Sequence, residues 1–384
     1  MVLATIAATI ATSFQVLLPV VPVLVERQGP HGAAGAATAA LFSGAVVGEL
    51  LSPWLMTRLS ASRLLIGGQL LYGLPSAIHL LPHAASWQML TAAFFRGLGF
   101  GVAIVVSVAL VSALSSPQRR GRAIGYFGLA LSGPGILMPS IGVALLDSGH
   151  VEIAALIALA SGLAGAALAT RLPSSVTGPA GGGHTLLSAL REPGVLALFC
   201  GFVIASCSFG GLFTFAPIAL PTSGLASAAV FLFVVGGWRA VSRWLAGVLG
   251  DLMPPRLVLA GSLVLTLIGL IAIALPAGPV TVLISATAYG IGYGGMQTAV
   301  YLVMTQHRTG TQWGGISALW NSAIDLGSSF GGVVLGLSAA RFGYASAGWV
   351  LPLVVAVSMP LFLLPMLRRP RAEAYADSAT GSTG

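Results

Sequence analysis

The chain has 384 residues, of which 56% are hydrophobic and only 7% charged, with a mean hydropathy of +0.96. A soluble domain carries roughly 25% charged residues, so this chain lacks the polar surface to cover a water-soluble globule, and disorder, which needs low hydrophobicity, is excluded too. The net charge of +8 comes from seventeen Arg, with no Lys, against nine acids; in so apolar a chain basic residues are read first as topology signals and not as nucleic-acid contacts.

A membrane span needs about 20 apolar residues, so twelve would use roughly 240 and leave about 140 for connections and tails. Charges, Pro and Gly punctuate the apolar runs at twelve places. The predicted spans, numbered 1 to 12, are 2–25, 33–56, 64–83, 88–115, 123–146, 153–172, 194–220, 226–249, 257–275, 280–306, 314–338 and 346–367. The first lacks a basic n-region and is too long for a signal h-region, so it is read as a span. Cys200 and Cys207 share one span about 10 Å apart along its axis, too far for a disulfide. The segment around 173–193 is rich in Gly, Ser and Pro and reads as a cytoplasmic linker. The expected organisation is thus an all-α membrane protein: a six-helix bundle over 1–172, the linker, a second bundle over 194–367, and a polar cytoplasmic tail over 368–384.

With the N-terminus in the cytoplasm, Arg58, Arg63, Arg119, Arg120, Arg122, Arg171, Arg191, Arg243, Arg256, Arg308, Arg368, Arg369 and Arg371 fall inside, and only Arg27 and Arg341 outside. That asymmetry predicts a multi-pass protein of the cell membrane with both termini cytoplasmic.

The two halves also resemble each other. Arg96-Gly97-Leu98-Gly99-Phe100-Gly101 in span 4 matches Tyr289-Gly290-Ile291-Gly292-Tyr293-Gly294 in span 10 at an offset of 193, and Gly121 then falls on Gly314. At an offset of 194, Pro53-Trp54-Leu55-Met56-Thr57 meets Gly247-Val248-Leu249-Gly250-Asp251. Parallel repeats of this kind belong to transporters whose site lies near mid-membrane between the halves. These glycines do not follow strands, so they are not a nucleotide-binding fingerprint.

On these motifs the chain resembles the major facilitator superfamily over essentially its whole length, and is similar to its drug and metabolite efflux members. The loop motif Gly-x-Leu-x-Asp-Arg-x-Gly-Arg-Arg is degraded in the first copy, with Pro53, Thr57 and Ser60 as departures and Arg58 and Arg63 kept. The second copy keeps Gly247, Leu249 and Asp251, with Leu252 in place of Arg. Gly133-Pro134 in span 5 is like the antiporter signature and is an expected kink, although Leu137 and Met138 stand where a Gly pair belongs. The resemblance implies alternating access and efflux driven by the proton gradient, with no cofactor. It also implies a gate in which Asp251 meets the start of span 5 near Gly121 and Arg122, with Arg58 and Arg243 at the same face.

A charge inside the bilayer is costly and defaults to a functional reading. Asp325 lies about 17 Å into span 11; it can carry a proton, pair permanently with an Arg such as Arg239, or touch substrate. Glu49 in span 2 can titrate as a gate moves, bind a cationic cargo, or hold the gate through an Arg. Arg96 is implicated in coupling by the resemblance, yet span 1 offers it Thr12, Ser13 and Gln15 in place of an acid; an anionic cargo or a bond to backbone carbonyls are the other readings. Arg239 is deep and needs a partner, for which Asp325 is the expected one. Gln15, Phe213, Tyr289, Tyr293, Gln297, Trp320 and Asn321 are the expected cavity lining, the alternative being packing or interface-belt residues. An aromatic lining fits a bulky amphipathic small molecule better than a sugar. His79, His83 and His307 lack metal-ligand spacing, so no metal site is expected. The protein is expected to be a monomer in the lipid bilayer and not an enzyme. An uptake symporter or uniporter, or more remotely a membrane enzyme or receptor, are the rival readings.

Overall fold

The computed structural model describes residues 2–81, 83–115, 120–172, 190–275, 278–306 and 313–367. Each of the twelve expected spans is helical. Span 1 comprises Val2–Leu17 and Val20–Glu26, and span 3 is Ala61–Gly73 followed by a 3-10 turn, Leu74–Leu80. The others are Ala34–Met56, Ser86–Leu114, Arg120–Asp147, Val151–Ala169, Pro193–Ala219, Ala228–Leu252, Pro255–Ala274, Pro279–Thr305, Trp313–Ala347 and Val350–Leu367, in order as spans 2, 4 to 12. Nine of the twelve are long and apolar enough to cross a membrane among the described residues.

Local chemistry explains the interruptions. Pro19 and Pro75 lack the amide that would continue the ladder, and both breaks fall beside them. Span 11 changes direction at Gly343, whose φ of 76° suits glycine. Gly133 and Pro134, by contrast, lie inside one continuous helix. Large apolar side chains such as Leu129, Trp87 and Leu353 stay exposed on the outside, as a lipid-facing surface requires.

Small residues let the backbones approach closely, the main source of packing where lipid is as apolar as Leu. The repeated glycine motif does the same work in both halves. A Cβ on Gly97 or Gly101 would fall 1.8 or 2.1 Å from a carbonyl oxygen of span 2, and one on Gly99 would strike span 3. In span 10, Gly290 and Gly294 press on span 8, and Gly292 on span 9. The i and i+4 positions thus serve one neighbour and i+2 the other. Both cysteines are free.

The halves meet where span 2 packs on span 11 and span 5 on span 8, with smaller contacts from spans 1 and 2 to span 7. The tightest approaches cluster at one end. Gly35 faces the Gly332 carbonyl, and Gly32, at φ +89°, faces that of Gly336. The Thr38 and Thr214 hydroxyls bond to each other, and Ser329 donates to the Ala39 carbonyl. At the opposite end Arg58, Asp251 and Leu252 are exposed.

Candidate functional site

Three buried or half-buried polar groups meet between the halves. Glu49 comes from span 2, and Ser322 and Asp325 from span 11, three residues apart and so on one helix face. The Ser322 hydroxyl donates to Glu49 Oε2 at 2.9 Å. The carboxyl groups of Glu49 and Asp325 lie close enough to interact. A carboxylate only accepts, so a bond between two carboxyls needs a proton on one of them.

This corrects one expectation. Among the described residues no ion pair within 4.0 Å joins Arg239 to Asp325. Span 8 packs on spans 5 and 10, whereas span 11 packs on spans 2 and 7, so the two side chains are directed to different neighbours. Nor does an Arg lie within that distance of Glu49; the Arg partner considered for it is replaced by Ser322 and Asp325.

Arg239 instead lies over aromatic faces, its guanidinium carbon 5.1 Å from the Phe209 ring centre and 5.8 Å from that of Phe213. Phe209 stacks on Tyr293, and Tyr293 on Tyr289, each at 5.4 Å with nearly parallel planes. Ser208 and Ser206 hold the Tyr289 and Tyr293 hydroxyls at 3.1 and 3.3 Å. An aromatic stack, with Phe209 next to the guanidinium, therefore backs the cation. The four-residue step from Tyr289 to Tyr293 puts both rings on one face of span 10.

Nearer the Arg58 end, Trp320 donates through Nε1 to the Gln297 carbonyl at 2.7 Å, and Arg243 sits 5.7 Å over the indole. Asn321 bonds back to the Ser317 carbonyl of its own helix. Gln15 and Gln297 each bury a side-chain carbonyl without a protein partner. Phe213, Tyr289 and Tyr293 are thus grouped with Phe209 beside Arg239, and Trp320 with Gln297 beside Arg243, by contacts within the second half.

Arg96 is 1% exposed. Its Nη2 donates to the Ser13 carbonyl at 2.8 Å, and its guanidinium lies 5.5 Å over Tyr72. Of its three readings, the bond to backbone is the one this conformation displays.

The two ends beyond these groups differ. At one end Glu26 accepts from the Gly32 and Ala34 amides at 2.9 and 2.8 Å, and the Tyr344 hydroxyl of span 11 donates to the same carboxylate. That clamp ties the first half to the second and caps span 2; the acid was visible in the sequence, but its partner 318 residues away was not. At the other end Arg58 covers its neighbour Trp54 at 4.7 Å and Asp251 is exposed. The expected contact of Asp251 near Gly121 and Arg122 involves side chains outside the described residues.

A model of the Major Facilitator Superfamily matches residues 3–244 and 219–382. No curated protein matches the sequence. Solved structures share the fold at low identity. The nucleoside transporter NupG, as a D323A mutant, is 12% identical at a TM-score of 0.72, covering 95% of this chain and 97% of that one. A bacterial homolog of the human lysosomal transporter Spinster, inward-facing and occupied, is 14% identical at 0.75, covering 95% of each. A POT family transporter in complex with a thioalcohol-conjugated peptide is 12% identical at 0.74, covering 96% of each. With the family model spanning both halves and the twelve-helix architecture in place, the chain belongs to the Major Facilitator Superfamily.

Proposed function

We propose that this multi-pass transporter exports a small organic molecule in exchange for protons. The observation that carries the reading is the Glu49–Asp325 contact across the two halves. With a proton between them the carboxyls bond and hold spans 2 and 11 together. With both ionised they repel, by about 4 kcal/mol at ~4 Å in an effective dielectric of 20. Protonation and the relative position of the halves are therefore linked, as a coupled rocking mechanism requires. Arg96, Glu49 and Asp325 are the proposed coupling groups, with Asp325 central.

The Glu26 clamp closes one end, and the Arg distribution puts that end outside the cell. Both termini then lie in the cytoplasm, and Arg58, Asp251 and Arg243 belong to the inner gate. Export in particular rests on the resemblance to efflux members and on Gly133-Pro134. The protein works as a monomer without a cofactor, and performs transport and no covalent chemistry. The nucleoside transporter and the peptide-bound POT transporter are described with different ligands, so neither is transferred here.

Inverted membrane vesicles test direction. Energised vesicles holding the protein should accumulate an amphipathic cargo and lose it when an uncoupler collapses the gradient. Accumulation only in right-side-out vesicles would make it an uptake symporter, and accumulation indifferent to the uncoupler a uniporter.

A further inference from the structure

The membrane-embedded helices hold more Arg than acidic side chains. Arg96, Arg239 and Arg243 lie between or beside the halves, and among the described residues none has a carboxylate within 4.0 Å. The two acids at this level, Glu49 and Asp325, face each other. A buried cation without a counter-charge is costly. Arg96 is compensated by the Ser13 carbonyl. Arg239 has only ring faces.

The surroundings of Arg239 have the form of an acceptor site. A Cβ built on Gly135 of span 5 would meet Arg239 Nη2 at 3.4 Å and Gln15 Nε2 at 3.7 Å. Two donor groups, one from each half, thus converge on a bare glycine. Gln15 faces the site through its Nε2 amide, and the Tyr289 and Tyr293 hydroxyls are occupied by serines. A planar guanidinium suits a carboxylate, which it can grip through two parallel bonds. Beside it the stacked rings of Phe209, Tyr293 and Tyr289 make an apolar aromatic column.

We propose that the cargo is an amphipathic organic acid, whose carboxylate binds Arg239 with Gln15 and whose apolar body packs beside the Phe209–Tyr293 stack. The inference rests on the transport reading of the same cavity and supplies its substrate class. Because Gln15 and Arg239 belong to different halves, rocking would pull the two donors apart and release the acid.

The test is thermal unfolding of the purified full chain in detergent, titrated with benzoate, 2-naphthoate and 2-naphthylacetate, each beside its neutral amide, and with sodium chloride. Ligand bound only to the folded state raises the unfolding temperature. At least one acid should protect at about tenfold lower concentration than its amide, about 1.4 kcal/mol. Arg239→Gln should abolish that preference, Arg239→Lys keep part of it, and Gln15→Leu weaken it. The inference is overturned if amides protect as well as acids, if the preference survives Arg239→Gln, if no acid protects, or if chloride protects equally and so marks a simple anion site. An acid preference without proton coupling would overturn the coupling reading alone, and coupling with a neutral cargo would overturn this inference alone.

Discussion

Tyr344→Phe removes one hydroxyl and leaves the ring, so it isolates the bond that closes the clamped end. In the structure that hydroxyl donates to Glu26, which already accepts the Gly32 and Ala34 amides. A hydrogen bond to a charged group is worth about 1.5–3 kcal/mol. The bond joins the halves only while that end is closed, so its whole value biases the closed state, and losing it should shift the equilibrium toward opening by roughly 10- to 150-fold. Glu26 keeps its two amide donors, so folding should be little affected. The shift can be read by double electron–electron resonance between spin labels at Arg27 and Arg341, both exposed, after replacing Cys200 and Cys207 with Ser. Tyr344→Phe should broaden the distribution toward longer distances. Unchanged distances, with an intact fold, would refute the idea that this contact holds the end closed.

Other substitutions test the packing and the buried charge. Gly97→Ala should lower stability by about 1–3 kcal/mol, because its Cβ would sit 1.8 Å from the Leu41 carbonyl oxygen. Gly133→Ala, with no atom within 4 Å of the added carbon, should stabilise its helix by about 0.5–1 kcal/mol; thermal unfolding of the two in one detergent checks the contrast. Arg96→Gln should cost about 1.5–3 kcal/mol through the lost bond to the Ser13 carbonyl, while Arg96→Lys, which keeps a charged donor, should cost less. Equal losses for the two Arg96 variants would show that the charge is not what the carbonyl holds.

Much of the architecture was legible because the bilayer imposes a simple grammar of apolar length and punctuation. The spans shifted at their ends: span 3 begins at Ala61 and not at residue 64, and span 11 runs on to Ala347 past 338. The glycine repeat was visible as spelling, but its purpose, close approach to two neighbours, needed the packed helices. The buried charges stood out because charge is so scarce. Their pairing did not, since which face of span 8 meets which neighbour is a tertiary fact; Arg239 has ring faces where the sequence suggests an acid. Ser322 had a signal, lying three residues before Asp325 on the same face. Tyr344 had none, for nothing local in span 11 points to Glu26.

The central claim is that Glu49 and Asp325 hold one transferable proton between the halves. Infrared difference spectroscopy of the reconstituted protein across a pH titration measures it directly, because a protonated carboxyl has its own carbonyl stretch. The account predicts a titrating protonated-carboxyl band that is lost or displaced in both Glu49→Gln and Asp325→Asn, with the double variant adding little to either single one. A band that neither substitution alters, or two independent bands that the variants remove additively, would contradict it.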